Sequence, residues 1–279
     1  MRQKISRLLK STKKKTKTVK KPRVKKSKAR FTVGYTYFDE PHKLKQQFEI
    51  WKKWPAEVDI ILVDDGSDHS PAKDVIDEVG FKLEDYQPNF RLFKVTRNLG
   101  FNSHGCRNLI AKYAGTDFIM FMDIDMNMYE NDIAYLKIQK FNPEKIYYNK
   151  QYGYDDQKMS PAPGHENCFI IHKDLYWDAG GYDESFTGYH YGDWEFHERI
   201  KQLQEERKTS PRWEDTGCSI TLTRKGRHGS VRQDPELTLG RTTHYVDDEL
   251  FYQTIDNKDV AKLKGTKKTV IDFPFIEVL

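Results

Sequence analysis

The sequence predicts an α/β protein built on a mostly parallel sheet with helices on both faces. Three observations carry that expectation. Runs of large apolar residues, too short for helices, recur at residues 31–37, 58–63, 90–95 and 118–122, as strands covered on both faces require. Segments of helical length lie between them, joined by short connections. Two of the runs stop abruptly at carboxylates, Asp64-Asp65 and Asp123-Ile124-Asp125, and the crevice of an open α/β sheet lies at the carboxyl ends of its strands.

The chain opens with a block of one sign of charge. Residues 1–30 hold 15 of the 47 Lys and Arg and none of the 42 Asp and Glu. Such a block repels itself and buries little, so a disordered polybasic arm is expected. The remaining 32 basic residues face 42 acidic ones, so the net charge of +5 hides an acidic body. A basic arm of this kind suits an anionic partner, a nucleic acid or an anionic membrane surface. It would equally dock on the acidic body or serve solubility.

Order is expected from Phe31. After the first strand, Asp39-Glu40-Pro41 opens a helix reaching about Trp54, with Leu44, Phe48 and Ile50 or Trp51 on its apolar face. The second strand delivers Asp64-Asp65-Gly66-Ser67, a helix follows near residues 71–79, and the third strand ends near Val95. Arg97-Asn98-Leu99-Gly100-Phe101-Asn102 then turns into a helix that carries Arg107 and Asn108 and ends near Gly115. The fourth strand closes on Asp123 and Asp125. Alternate residues of an extended chain share a face, so both carboxylates can face one hard cation, Mg²⁺ or Mn²⁺. A lone Asp-x-Asp is more often a solvated turn, and the rest of the chain gives this one its weight.

The second half is less regular. Strands are expected within residues 142–150, 167–172 and 218–223, a Tyr- and Pro-rich functional loop at 147–164, and a short helix at 173–179 ended by Gly180-Gly181. A further helix covers about 194–206, with Asp193 at its start, where a simple helix cap is the bland explanation. A basic loop spans residues 224–232, and in the C-terminal stretch residues 269–273 are the most strand-like.

Several classes are excluded. No apolar run approaches the roughly 18–20 residues of a membrane span, and the basic N-terminus lacks the apolar core of a secretory signal, so a cytoplasmic protein is expected. Cys106, Cys168 and Cys218 have no metal-type spacing and read as reduced, mostly buried thiols. Neither G-x-x-x-x-G-K-[ST] nor a G-x-G-x-x-G after the first strand is present, so a bound diphosphate would be neutralised instead by a divalent metal at Asp123 and Asp125 with Arg97 or Arg107.

Taken in order, Val63-Asp64-Asp65-Gly66-Ser67, Arg97-Asn98-x-Gly100, Asp123-Ile124-Asp125 and Gly180-Gly181-Tyr182-Asp183-Glu184-x-Phe186 to Asp193-Trp194-Glu195-Phe196 resemble a GT-A (Rossmann-like) glycosyltransferase. The similarity is to family 2 with a galactosyltransferase-type C-terminal segment, over roughly residues 31–232. It implies a nucleotide-sugar-binding half at residues 31–126, an acceptor-binding and catalytic half at 127–245, and a C-terminal extension at 246–279. By resemblance, Asp64 or Asp65 contacts the nucleotide base and ribose, Tyr35 and Tyr37 lie beside the base, and Arg97, Asn98 and Arg107 complete the donor site. Asp125 is the direct metal ligand, with Asp123 nearer the ribose or a metal-bound water. His228 is the third ligand, with His244 its rival, and Asp193 is the general base of an inverting transfer from a nucleotide sugar, a UDP-sugar by preference. The family pattern at the base reads Gly-Glu-Asp, whereas here Gly192 replaces the glutamate and His190-Tyr191 stand where two glycines are common. That departure bears on acceptor recognition more than on the base.

The acceptor is left open. The basic arm and basic loop suit a hydroxymethylated base in viral (phage) DNA, which would place the enzyme in the host cytoplasm. A saccharide, glycolipid or protein hydroxyl is the alternative. A nucleotidyltransferase would need a Gly-rich loop where Tyr35-Thr36-Tyr37-Phe38-Asp39 stands, and a non-catalytic nucleic-acid-binding protein would explain the arm but not the four motifs.

Overall fold

Four parallel strands form the centre of the sheet. They are β1 (Phe31–Tyr37), β2 (Val58–Asp64), β3 (Asn89–Val95) and β4 (Phe118–Asp123), side by side in the order β4-β1-β2-β3. The computed structural model describes residues 27–82, 85–86, 88–99, 102–152, 167–184, 192–209, 213–222, 271 and 273–279. Every residue of β2 is buried, which is why its sequence shows no polar alternation. Ile60 and Leu62 belong to one core cluster with Leu44, Phe48 and Trp51 of helix α1 (Pro41–Trp51); Ile61 and Val63 belong to another with Leu109 and Ile110 of α3 (Ser103–Tyr113). Between them along the chain lies α2 (Ala72–Glu78). Helices therefore cover both faces, as the sequence predicts. Gly34 of β1 lets α3 approach, since a Cβ there would meet Ile110 at 2.3 Å.

The register puts the polar strand ends together. Thr36 pairs with Asp123 and Tyr37 with Asp64, so the carboxylates of β2 and β4 emerge together at the C-terminal ends of the strands.

Outside this block the pairing is mixed. Beyond β4 the sheet continues through β7 (Phe169–His172), β6 (Ile146–Tyr152), β8 (Glu214–Leu222) and β5 (Met126–Asn127); at the opposite edge β9 (Phe275–Glu277) lies antiparallel to β3. The remaining helices are α4 (Glu130–Leu136), α5 (Lys173–Asp178) and α6 (Gly192–Glu206). Among the described residues no helix is long and apolar enough to cross a membrane, and Cys106, Cys168 and Cys218 are all buried.

Four boundaries differ from the sequence expectation. Helix α1 stops at Trp51, and Trp54 is instead a buried anchor whose indole N–H donates to Met128 O at 3.1 Å. The strand expected within 142–150 is β6, which runs on to Tyr152 because it is buttressed by neighbours on both sides, so residues 147–152 of the expected loop are strand; the remainder, 153–164, lies outside the described residues. The described C-terminal strand is at 275–277; of the expected 269–273 only Ile271, which turns the chain with φ +59°, and Phe273 are described, and neither is strand. Residues 1–26 lie outside the described set, but 27–30 are already tied to the body: Ser27 N–H donates to Gly115 O (3.1 Å) and Arg30 N–H to Glu57 O (2.6 Å).

Candidate active site

The site begins where β4 stops. Asp123 is the last residue of that strand, and Ile124 and Asp125 form a turn. The two carboxylates are thus not alternate positions of one extended segment, which corrects the simple alternation argument. Helix α1 sets the turn instead. Gln47, wholly buried, donates its amide to Ile124 O (3.1 Å), Met126 O (3.0 Å) and Asn127 Oδ1 (3.0 Å). One helical turn earlier on the same face, Lys43 places its ammonium 3.1 Å from Asp125 Oδ2 and 2.7 Å from Glu40 Oε2.

Arg107 of α3 joins the two halves of the chain. Its Nη2 donates to Asp123 Oδ1 at 3.1 Å and its Nη1 to Asp193 Oδ1 at 2.8 Å, with the side chain only 4% exposed. The guanidinium also lies over the Tyr182 ring, 5.2 Å from its centroid. Asn167 Nδ2 adds a contact to Asp123 Oδ2 at 3.3 Å.

Asp193 sits in the first turn of α6, where exposed N–H groups favour a carboxylate. That helix-start position coexists with its ion pair to Arg107. Burial pushes its pKa up, but the charges of Arg107, His104 and His197 and a hydrogen bond from Tyr182 outweigh that, holding the carboxyl below the usual range. His104 Nε2 lies 3.9 Å from Asp193 Oδ1, and its ring stacks on Tyr182 with centroids 5.0 Å apart.

Tyr182 is held in turn by Asn108, a residue the sequence places on α3 without a role. Asn108 Oδ1 accepts from Tyr182 N–H (2.9 Å) and Tyr176 O–H (2.6 Å), while its Nδ2 donates to Tyr182 O (2.9 Å) and Glu184 Oε1 (2.7 Å). Gly181, at φ +67°, is required there because a Cβ would meet Asn108 Oδ1 at 2.6 Å. Local pattern offers no signal for Lys43, Gln47, His104 or Asn108, because their partners are distant in sequence.

The other expected residues have different placements. Asp64, buried, accepts from Ser67 N–H and Ala72 N–H, each at 2.8 Å, and so shapes the loop into α2. Asp65, also buried, accepts from Asn102 N–H at 2.9 Å and ties β2 to the start of α3. Gly66 has φ +73° and lies against Arg97 O, which a Cβ would approach to 2.8 Å. Asn98 Nδ2 donates to Asp68 Oδ2 at 2.5 Å, and Arg97 is exposed; it is Arg107 that reaches Asp123. Tyr35 and Tyr37 have no exposed surface: the first packs on Trp51 at 5.0 Å and the second donates its hydroxyl to Ser70 O at 2.6 Å, so their rings serve the core. His228 and His244 lie outside the described residues.

Among the described residues no group of three or more His, Cys, Asp or Glu side chains gathers as a metal cluster, so Asp123 and Asp125 are the candidate pair. Asp123 and Asp125, each 24% exposed, offer the hard oxygen atoms that Mn²⁺ or Mg²⁺ takes.

Comparison with known proteins bears on the fold and the family. No curated protein matches the sequence. Among solved structures, the mannosyltransferase PcManGT from Pyrobaculum calidifontis, in complex with GDP-Man and Mn²⁺, is similar with a TM-score of 0.53 at 11% identity, over 72% of this chain and 59% of that one. TarS from S. aureus (its residues 1–349), in complex with UDP-GlcNAc, is similar with a TM-score of 0.51 at 15% identity, over 73% and 60%. The chain therefore spans about three-fifths of each of those structures, and at such identities the likeness speaks for the GT-A fold alone. The sequence profile of glycosyl transferase family 2 matches residues 33–189, from β1 through Asp123 and Asp125 to the Tyr182 turn, ending just before Asp193. With more than half of its 279 residues matched in this way, the chain belongs to glycosyl transferase family 2.

Proposed function

We propose that the protein is a metal-dependent inverting glycosyltransferase that moves a hexose or pentose from a UDP-sugar to an acceptor hydroxyl. The observation that carries this reading is the single guanidinium of Arg107 holding both Asp123, at the end of β4, and Asp193, at the start of α6. In this reading residues 31–126 bind the donor, residues 127–245 bind the acceptor, and Arg107 fixes one half against the other.

Asp123 and Asp125 would hold Mn²⁺ or Mg²⁺, with His228 or His244 as a third ligand; the ion supplies Lewis-acid stabilisation of the departing nucleoside diphosphate. The chain's own residues do the rest. Arg107 occupies Oδ1 of Asp193 and orients the carboxylate, which at 17% exposure is still within reach of a substrate. Asp193 takes the proton of the acceptor hydroxyl as that oxygen bonds to the anomeric carbon. The bond from that carbon to the diphosphate oxygen breaks, and the nucleoside diphosphate leaves with the electron pair. With one base and direct displacement, configuration inverts. Arg97 and Asn98 would flank the nucleoside at the neighbouring strand end, where Asp64 and Asp65, both buried, shape the loops that would meet it.

For the acceptor, charge supports a polyanion. The basic arm on an acidic body would tether DNA that the body repels, and a hydroxymethyl group on a base is already exposed in the major groove. The test is mass spectrometry of nucleosides from hydroxymethylcytosine-containing duplex DNA after incubation with the protein, Mn²⁺ and a panel of nucleotide sugars. A pentose or hexose increment identifies donor and acceptor together. Donor hydrolysis without an increment removes DNA and leaves saccharide, glycolipid or protein hydroxyls as acceptors.

A further inference from the structure

Lys43 stands where the proposed reading needs a metal. Its ammonium lies between Glu40 Oε2 (2.7 Å) and Asp125 Oδ2 (3.1 Å), and its side chain is 12% exposed. The helix that carries it also grips the turn through Gln47, so this cation is delivered to Asp125 by the same element that positions Asp125. An ammonium and a divalent ion drawn to one carboxylate repel each other. Arg107 has little freedom to yield, being 4% exposed, bound to two carboxylates and stacked on Tyr182. Lys43 also holds two carboxylates, but it is more exposed and freer to move. Its stem is flexible, its head makes rotatable point-charge contacts, and Glu40 gives it a second anchor that does not depend on Asp125.

We propose that Lys43 is a place-holding cation: it neutralises Asp125 until the divalent ion arrives, gives way to it, and, still anchored by Glu40, binds the nucleoside diphosphate. This rests on the reading of Asp125 as a metal ligand. It makes donor and metal binding cooperative through one side chain, since the ion's arrival releases the lysine that the diphosphate then engages.

The two halves of the proposal have opposite signs in one variant. Mn²⁺ is titrated against the full chain by electron paramagnetic resonance without nucleotide, and UDP binding is then measured by calorimetry at saturating Mn²⁺, for wild type, Lys43→Met, Lys43→Gln and Asp125→Ala. Both Lys43 variants should bind Mn²⁺ roughly five-fold tighter or more, and UDP weaker by a comparable factor. Damage to folding would weaken both, so the opposed signs are diagnostic. Unchanged or weaker Mn²⁺ binding in the Lys43 variants, with binding lost in Asp125→Ala, overturns the place-holder. Unchanged UDP affinity overturns the engagement of the diphosphate. Mn²⁺ binding that survives Asp125→Ala overturns the metal-site reading beneath it.

Discussion

Gly192 and His104 fill each other's space: a Cβ at position 192 would fall 2.4 Å from the imidazole Cε1 and 2.6 Å from its Nε2. His104 is 2% exposed and stacked on Tyr182, so it has nowhere to move. The glycine that departs from the family's Gly-Glu-Asp pattern is thus matched by an imidazole occupying the origin of the missing side chain. Gly192→Ala should destabilise the fold by about 1–3 kcal/mol despite alanine's better helix propensity, because the overpacked ring cannot relax. His104→Ala in the same chain should restore most of that loss. Urea unfolding of the two single variants and the double variant measures the coupling, and additive effects would contradict the steric account.

Arg107→Met should do more harm than either of its partners' conservative variants. It would leave Asp123 and Asp193 facing one another in a poorly solvated site, at a cost of about 3–5 kcal/mol. Thermal unfolding of the variant is the check.

The same guanidinium sets a pH dependence. In the folded chain Asp193 titrates below its ordinary value of 3.8, chiefly because burial is overcome by Arg107, His104 and His197. A depressed carboxylate contributes stability that is present above its unfolded pKa and is lost as pH falls through the folded one. The acid limb of the transfer rate should therefore lie below the usual carboxylate range in wild type and move upward in Arg107→Lys, which retains a charge but loses the two-pronged grip. A limb that stays in place would separate Arg107 from the base.

Asp193→Asn and Asp125→Ala should fail differently. Loss of the base should cut transfer by about 10² to 10⁴ while leaving nucleotide-sugar affinity intact. Loss of Asp125 should abolish the metal-dependent part of that affinity. Equal effects of the two variants on donor binding would break the division of roles.

Deleting residues 1–26 should leave transfer to a free hydroxymethylated nucleoside unchanged and weaken transfer to duplex DNA. The wild-type advantage should shrink steeply with salt, because each phosphate contact releases counterions. An advantage indifferent to ionic strength would assign the arm some other task.

Much of the fold was legible from burial pattern. β2 reads as a strand because all of its residues are enclosed, and β7 because Phe169, Ile170 and Ile171 are. β8 is legible in the sequence only from Cys218 onward, since Glu214 and Asp215 are polar and take strand geometry from their pairing with β6. Tyr35 and Tyr37 look like candidates for a nucleotide base because they end a strand at the crevice; their orientation into the core follows from packing on Trp51 and bonding to Ser70. Periodicity says which residues alternate, but not how deep a strand end is sunk.

By itself the sequence determined the parallel sheet, the strand ends at which its carboxylates emerge, and the candidacy of Asp123, Asp125 and Asp193. Those follow from local runs, short connections and motifs. Which cation meets which carboxylate follows from three-dimensional packing instead. Lys43 reaches Asp125 across 82 residues and Arg107 reaches Asp193 across 86. Such pairings depend on strand register and on how each helix lies over the sheet. Hydrophobic periodicity constrains a residue's own face and neighbours; it carries no information about which distant charge will share that face.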